Sequence, residues 1–248
     1  MKRISRRNFL KVAGVGAAAL GLAACGGSKS GSTATSGSAS SAAGSSTGSV
    51  NTAGFTVQYG PNPETLDPSL NSAVDGANTI ITIFEPLLII NENNEVIGGQ
   101  AESWEESEDG LTWTVTIRDD VSFTDGEPLT AEDVAFTYNT VKEASSVNDF
   151  TMLDYAEAVD DTTVLFHMTT PFSIWPYTMA IVGIVPEHAY DSATYGANPI
   201  GSGRYLLKQW DRGQQVILEA NPDYYGEAPK MKRVTILFME EDAAFLAA

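Results

Sequence analysis

Two imidazoles, His167 and His188, are present for acid–base or metal chemistry, and neither lies in an H-E-x-x-H spacing that would bring two ligands onto one helix face. Both read as structural or surface histidines. Gly201-Ser202-Gly203 is glycine-rich, but no Lys-Ser or Lys-Thr follows and the next residues read as a strand, so the parts of a phosphate-cradling P-loop are missing. Asp119, Asp120 and Asp125 fall close together without the D-x-D-x-D-G pattern of a calcium loop, and they read as turn residues. Carboxylates are numerous, yet no spacing singles out a catalytic pair from an acidic surface. The residue types therefore point away from an enzyme, and no cofactor or metal is expected.

Charge narrows the partners further. The 248 residues carry a formal net charge of −18, which repels phosphate, and no basic patch with interleaved aromatics appears, so nucleic acid is not an expected partner. Residues 1–24 read as an export signal. Lys2, Arg3, Arg6, Arg7 and Lys11 form a positive start, and Val12 to Ala24 is a small apolar run too short for a permanent membrane span. Ser5-Arg6-Arg7-Asn8-Phe9-Leu10-Lys11 resembles the twin-arginine signal S-R-R-x-F-L-K, with a Sec route left open. Removing these 24 residues takes away five basic and no acidic side chains, moving the net charge from −18 to −23.

Leu22-Ala23-Ala24-Cys25 looks like a lipobox, which makes Cys25 the expected lipid attachment point. It is also the sole cysteine, so no intramolecular disulfide and no four-cysteine metal site is available. Gly26 to Ala53 is almost wholly Gly, Ser, Ala and Thr and cannot bury enough surface to fold; residues 25–53 read as a lipidated tether. As a flexible coil that tether reaches about 30 Å.

The elements beyond it are read from periodicity. Leu111, Trp113, Val115 and Ile117 alternate with Thr112, Thr114 and Thr116, which predicts a half-buried strand. Asp109-Gly110 and Asp125-Gly126 supply turns. Thr130 precedes Ala131-Glu132-Asp133 as the N-cap of a helix whose buried stripe is Val134, Tyr138 and Val141. Further strands are expected at Phe55–Tyr59, Val164–Met168, Ile181–Val185, Arg204–Trp210, Gln215–Glu219 and Val234–Met239. Helices are expected at Ala77–Ile83, within Pro171–Met179 capped by Ser173, and from Asp242 to Leu246. Pro86 marks Phe84–Ile90 as turn or edge, and Asn148 to Ala158 has no clear form.

Six segments in order carry a family likeness: Thr65-Leu66-Asp67-Pro68, Phe84-Glu85-Pro86-Leu87-Leu88, Ala101-Glu102-Ser103-Trp104, Ile117 to Phe123, Asp125 to Val134, and Asn221-Pro222-Asp223-Tyr224-Tyr225-Gly226. Together they resemble the bacterial extracellular solute-binding proteins of family 5, the oligopeptide, dipeptide and nickel binding components of ABC importers. Gly201-Ser202-Gly203-Arg204-Tyr205 departs from the family's G-T-G-P-Y by an arginine in place of proline.

The resemblance implies a class II, periplasmic-binding-protein-like α/β fold. It assigns 54–90 and 191–248 to a discontinuous first-lobe sheet domain and 91–190 to an inserted α+β domain. Members of the family are longer, so the chain reads as a fragment whose second lobe is missing. Ligand in the family lies in a cleft between lobes. Carried over by position, the binding residues fall on Ser72, Ala73 and Val74, with Phe150 either an aromatic that reaches ligand or ordinary core. The implied function is capture of a peptide or similar small solute outside the cell, by a monomer anchored to the membrane through lipid and serving ABC permease subunits. A peptide-sensing receptor and a secreted hydrolase are the rival readings.

Overall fold

The first strand finds its partner far along the chain. In the computed structural model, which describes residues 54–59, 62–70, 74–144 and 149–238, β1 (Phe55–Tyr59) pairs in parallel with β10 (Arg233–Phe238). A parallel pair cannot be closed by a tight turn, so the rest of the described chain is looped out between these two strands. β10 continues antiparallel to β9 (Gln215–Ala220), and β9 to β8 (Tyr205–Asp211), giving the order β1-β10-β9-β8. The β8–β9 hairpin turns at Gly213, whose φ of 76° is open to glycine at little cost. Val216, Leu218, Ile236 and Phe238 face one core with Leu66, Val185 and Tyr195. Ile80, Ile83 and Phe84, at and just beyond the end of α1 (Val74–Ile83), join the same core.

The looped-out chain builds a second sheet, and here the alternation read from sequence is realised. β5 (Thr112–Ile117) buries Trp113, Val115 and Ile117 while Thr114 is exposed. It lies between β4 (Ala101–Glu106) and β7 (Thr163–Met168), with β6 (Leu153–Ala158) on the far side of β7, all antiparallel. α2 (Ala131–Ala144) covers this sheet with Val134, Tyr138 and Val141, as its spacing requires, and the Tyr138 ring meets Phe166 edge-on at 4.7 Å. Thr130 starts the helix: its backbone N–H and its hydroxyl both donate to Asp133 Oδ2 at 2.9 Å. A two-stranded ribbon, β2 (Leu88–Ile90) with β3 (Val96–Gly98), precedes this sheet.

Gly201-Ser202-Gly203 is a packing joint. An added Cβ at Gly201 or Gly203 would lie 2.2 or 2.6 Å from the Ile83 carbonyl oxygen, so only glycine lets this loop close over the end of α1. The Gly203 N–H donates to that oxygen at 2.8 Å, satisfying a carbonyl the helix end leaves open. Gly201 O accepts from Thr124 N–H at 2.9 Å, and the buried Ser202 hydroxyl oxygen accepts from Gln100 Nε2.

Several expectations are revised. Ile181–Val185 is not a strand: its one ladder contact is an isolated bridge from Gly183 to Pro86, and Ile181 is exposed while Val182, Ile184 and Val185 are buried. Gly183 packs so closely on Phe84 that an added Cβ would lie 2.5 Å from Phe84 Cβ, which leaves room for one backbone crossing and no ladder. The helix in 171–179, α3 (Trp175–Met179), is preceded by Ile174 rather than capped by Ser173; Pro176 in its first turn has no N–H to satisfy. Two strands go beyond those expected: Ala101–Glu106 at the sheet edge, and Leu153–Ala158, which supplies β6 within the segment of unclear form. The export signal, Cys25, the tether through residue 53, Ser72, Ala73 and the helix expected from Asp242 lie outside the described residues.

Candidate functional site

Two buried carboxylates bracket α1. Before the helix, Asp67 is fully buried; its Oδ1 accepts from Ser69 N–H at 2.8 Å and its Oδ2 from the Tyr190 hydroxyl at 3.0 Å. Its own N–H donates to Thr65 Oγ1 at 3.1 Å, and Leu66 N–H donates to Gly196 O at 3.2 Å. Gly196 has no room for a side chain, because a Cβ there would overlap Thr65 Oγ1. Burial raises the Asp67 carboxyl above the ordinary carboxylate value even though these hydrogen bonds favour its charged form. Tyr190 is pushed up to about 12 by its own burial and by the Asp67 charge. The Thr65–Leu70 segment is thus a pinned frame from which the chain continues toward α1.

After the helix, Glu85 stands alone in the apolar run Ile83-Phe84-Glu85-Pro86-Leu87-Leu88 and is 5% exposed. Tyr224, brought in from the Asn221–Gly226 loop, donates its hydroxyl to Glu85 Oε1 at 2.9 Å. Asn221 shapes that loop by donating Nδ2–H to Gly203 O at 3.0 Å and accepting from Asp223 N–H at 3.0 Å. The Arg204 guanidinium lies over the Tyr224 ring, 5.2 Å from its centre. Burial drives the Glu85 carboxyl up, against the Tyr224 and Tyr225 hydrogen bonds and the Arg204 charge. Tyr224 is pushed up to about 12 by burial first and by Glu85 second. Glu85 and Arg204 border an open pocket of about 400 Å³ whose other walls are largely apolar, with Ile81, Ile89, Ile90 and Ala180. Such a cavity suits a small molecule with an apolar body and a polar end.

The residues expected from sequence separate. Val74 begins α1, and Ser72 and Ala73 lie outside the described residues. Phe150 is elsewhere: it is 3% exposed in the core of the second sheet, and its ring meets Trp175 edge-on at 6.4 Å. An aromatic packed that deeply is not on a ligand-accessible surface, so the core alternative is the one the structure shows. His188 Nε2 contacts Asp125 Oδ2 at 2.8 Å, and this carboxylate holds the imidazole above its ordinary value. His167 contacts Glu157 at 2.9 Å and stacks on Tyr155. Asp120 takes both Arg118 Nε and Nη2 in a fork at 2.8 and 2.6 Å, a turn closure rather than an ion site. Among the described residues no group of three or more His, Cys, Asp or Glu side chains is placed to hold a metal. Glu85 and its partners were missed from sequence; the available signal was a single carboxylate inside an apolar run.

Residues 95–248 match the profile described as bacterial extracellular solute-binding proteins, family 5 Middle. The chain belongs to the bacterial extracellular solute-binding proteins of family 5. Among its relatives in that family, the probable D,D-dipeptide-binding periplasmic protein DdpA of Escherichia coli is 32% identical over 201 residues, covering 74% of this chain and 39% of DdpA. The oligopeptide-binding protein AppA of Bacillus subtilis, solved with a nonapeptide, superposes with a TM-score of 0.69 at 28% identity, covering 78% of this chain and 41% of AppA. NikZ of Campylobacter jejuni, solved with Ni(L-His), gives a TM-score of 0.72 at 25% identity over 78% of this chain and 40% of NikZ. The family 5 chain described here therefore spans about two fifths of the length of these relatives. Its mixed α/β fold is that of part of a periplasmic binding protein of the family 5 type. Residues 3–23 match the twin-arginine translocation pathway signal sequence, which marks the chain for export.

Proposed function

We propose that this chain belongs to the solute-capturing component of an ABC importer, taking up a peptide or a similar small solute outside the cell and passing it to a membrane permease. The observation that carries this reading is the apolar pocket beside α1, with Glu85 and Arg204 on its wall, in a family 5 fold. The exposed Arg204 guanidinium beside an apolar wall offers a charge-assisted contact to a ligand carboxylate such as a peptide terminus, while Glu85, buried and hydrogen-bonded to Tyr224, shapes that wall. The segment through Ser72, Ala73 and Val74, continuing from the frame pinned by Asp67, supplies further contacts. In this reading 54–90 and 191–248 form one sheet domain and 91–190 an insertion, and no covalent step is required. Cys25 carries the lipid that holds the monomer at the membrane, with the Gly/Ser-rich residues 26–53 as the tether.

The test is native mass spectrometry and calorimetry on the purified protein. Co-purification of a peptide or small zwitterion, and weaker binding of it by an Arg204→Ala variant, is the expected result. Turnover of a peptide panel would instead favour the hydrolase. For the anchor, Cys25→Ser is expected to release the protein into the medium, and unchanged membrane retention would refute lipidation at that residue.

A further inference from the structure

We infer that the end of the four-stranded sheet where the chain enters the fold is a contact surface for anionic phospholipid headgroups, formed by Lys208, Lys230, Lys232 and Arg233. This inference rests on the tethering reading above and adds to it an orientation for the tethered body.

Charge is divided unevenly along the folded chain. Residues 54–203 hold twenty-five carboxylates against two cations, Arg118 and Lys142. Residues 204–238 hold six cations against four carboxylates. Topology then gathers the cations. β1 and β10 run parallel and start together, Phe55 opposite Val234, while β9 ends at Ala220 and β8 starts at Tyr205 on the same side. Lys230 and Lys232 lead into β10, and Arg233 is its first residue. Gly54, the last residue before β1, lies against Arg233, whose carbonyl oxygen would be 3.8 Å from a Cβ at that position. A chain arriving from Cys25 therefore enters the fold at its cationic end.

Three carboxylates oppose these four cations. Glu219 sits between Arg233 at 2.8 Å and Lys208 at 3.6 Å, so its carboxylate is already shared by two cations. Asp223 and Glu227 are exposed in the preceding loop. Among the described residues no carboxylate lies within ion-pair distance of Lys230 or Lys232, and both side chains are exposed. Lys232 and Arg233 line an open groove of about 670 Å³ together with Asn221-Pro222 and Glu219. Phe55, 54% exposed, adds an apolar ring that can bury at the headgroup–acyl boundary.

The acidic body as a whole is repelled by an anionic bilayer, but charges beyond about 8 Å are screened at physiological salt. A tether of about 30 Å keeps the body within reach of the surface. The end that turns inward is then the one whose nearest charges are positive, because the carboxylate-rich remainder is driven outward.

The experiment uses the exported chain from Cys25 onward, coupled through its one thiol to a maleimide lipid in vesicles of phosphatidylcholine alone or mixed with phosphatidylglycerol. Lysine acylation is read by mass spectrometry. Labelling of Lys230 and Lys232 is expected to fall about fivefold on the anionic vesicles and to recover in high salt, while Lys142 stays unchanged. A Lys230→Gln, Lys232→Gln variant is expected to lose the protection at Lys208. Equal labelling on both vesicle types, or protection spread equally to Lys142, overturns the inference. Because the coupling is chemical, the result does not depend on whether Cys25 is lipidated in cells; that reading fails separately, by release of the wild-type protein from cell membranes.

Discussion

The Tyr190 hydroxyl donates to Asp67 Oδ2 at 3.0 Å, joining residues 123 positions apart and fixing the segment that leads to α1. Tyr190→Phe removes the donor and leaves a buried carboxylate oxygen without it, so the folded state is expected to lose about 1–3 kcal/mol. Urea denaturation measures this. Adding Asp67→Asn to Tyr190→Phe should recover part of the loss, since an amide suffers less than a carboxylate from burial; simple additivity of the two changes would show that they do not act as a pair.

Glu85 predicts a pH dependence. Its carboxyl is raised above 4.5 in the folded protein by burial, so the folded state holds the proton more tightly than the unfolded chain does. The stability this confers is present below the unfolded value and is lost as pH rises through the folded value. Relative to Glu85→Gln, which keeps the shape without titrating, the wild type is expected to lose melting temperature as pH rises above about 4.5. A difference that stays constant as pH rises would exclude linkage at Glu85.

His188 works in the same sense at higher pH. The Asp125 carboxylate raises the imidazole above 6.5 in the folded state, so its stabilisation is full below 6.5 and fades as pH rises through the folded value. The pair is solvent-facing, and the effect is expected to be under about 1 kcal/mol. Thermal melts of wild type and His188→Gln at acid and alkaline pH should converge at the alkaline end.

Two glycines should fail for different reasons. Gly203→Ala places a methyl 2.6 Å from the Ile83 carbonyl and is expected to cost about 1–3 kcal/mol by forcing the loop off the helix end. Gly126 has open space around it but a φ of 96°, so Gly126→Ala should cost about 1–2 kcal/mol from backbone strain alone. Asparagine, tolerated in left-handed turns, should therefore be better accepted at 126 than at 203, as denaturation midpoints will show.

Phe150→Ala is expected to cost about 3–5 kcal/mol in the ligand-free protein, as a core truncation does. Unchanged urea stability accompanied by lost ligand affinity would return that ring to the binding surface.

Local chemistry made the Thr112–Ile117 strand, the Thr130-capped helix, the glycine turns and the β8–β9 hairpin legible, because each depends on residues a few positions apart. It failed where the deciding neighbour was distant. Ile181–Val185 has strand composition, yet contact between Gly183 and Phe84 leaves it one bridge. The site divided in the same way. Sequence by itself determined what chemistry was on offer: two histidines, one cysteine, an excess of carboxylates and the motifs of family 5. Only tertiary structure decided that Phe150 is core, and that Glu85 meets Tyr224 across 139 positions with Arg204 over the ring. The physical reason is desolvation: whether a carboxylate is a solvated surface charge or a buried polar wall depends on what packs over it, and those residues come from the far side of the chain.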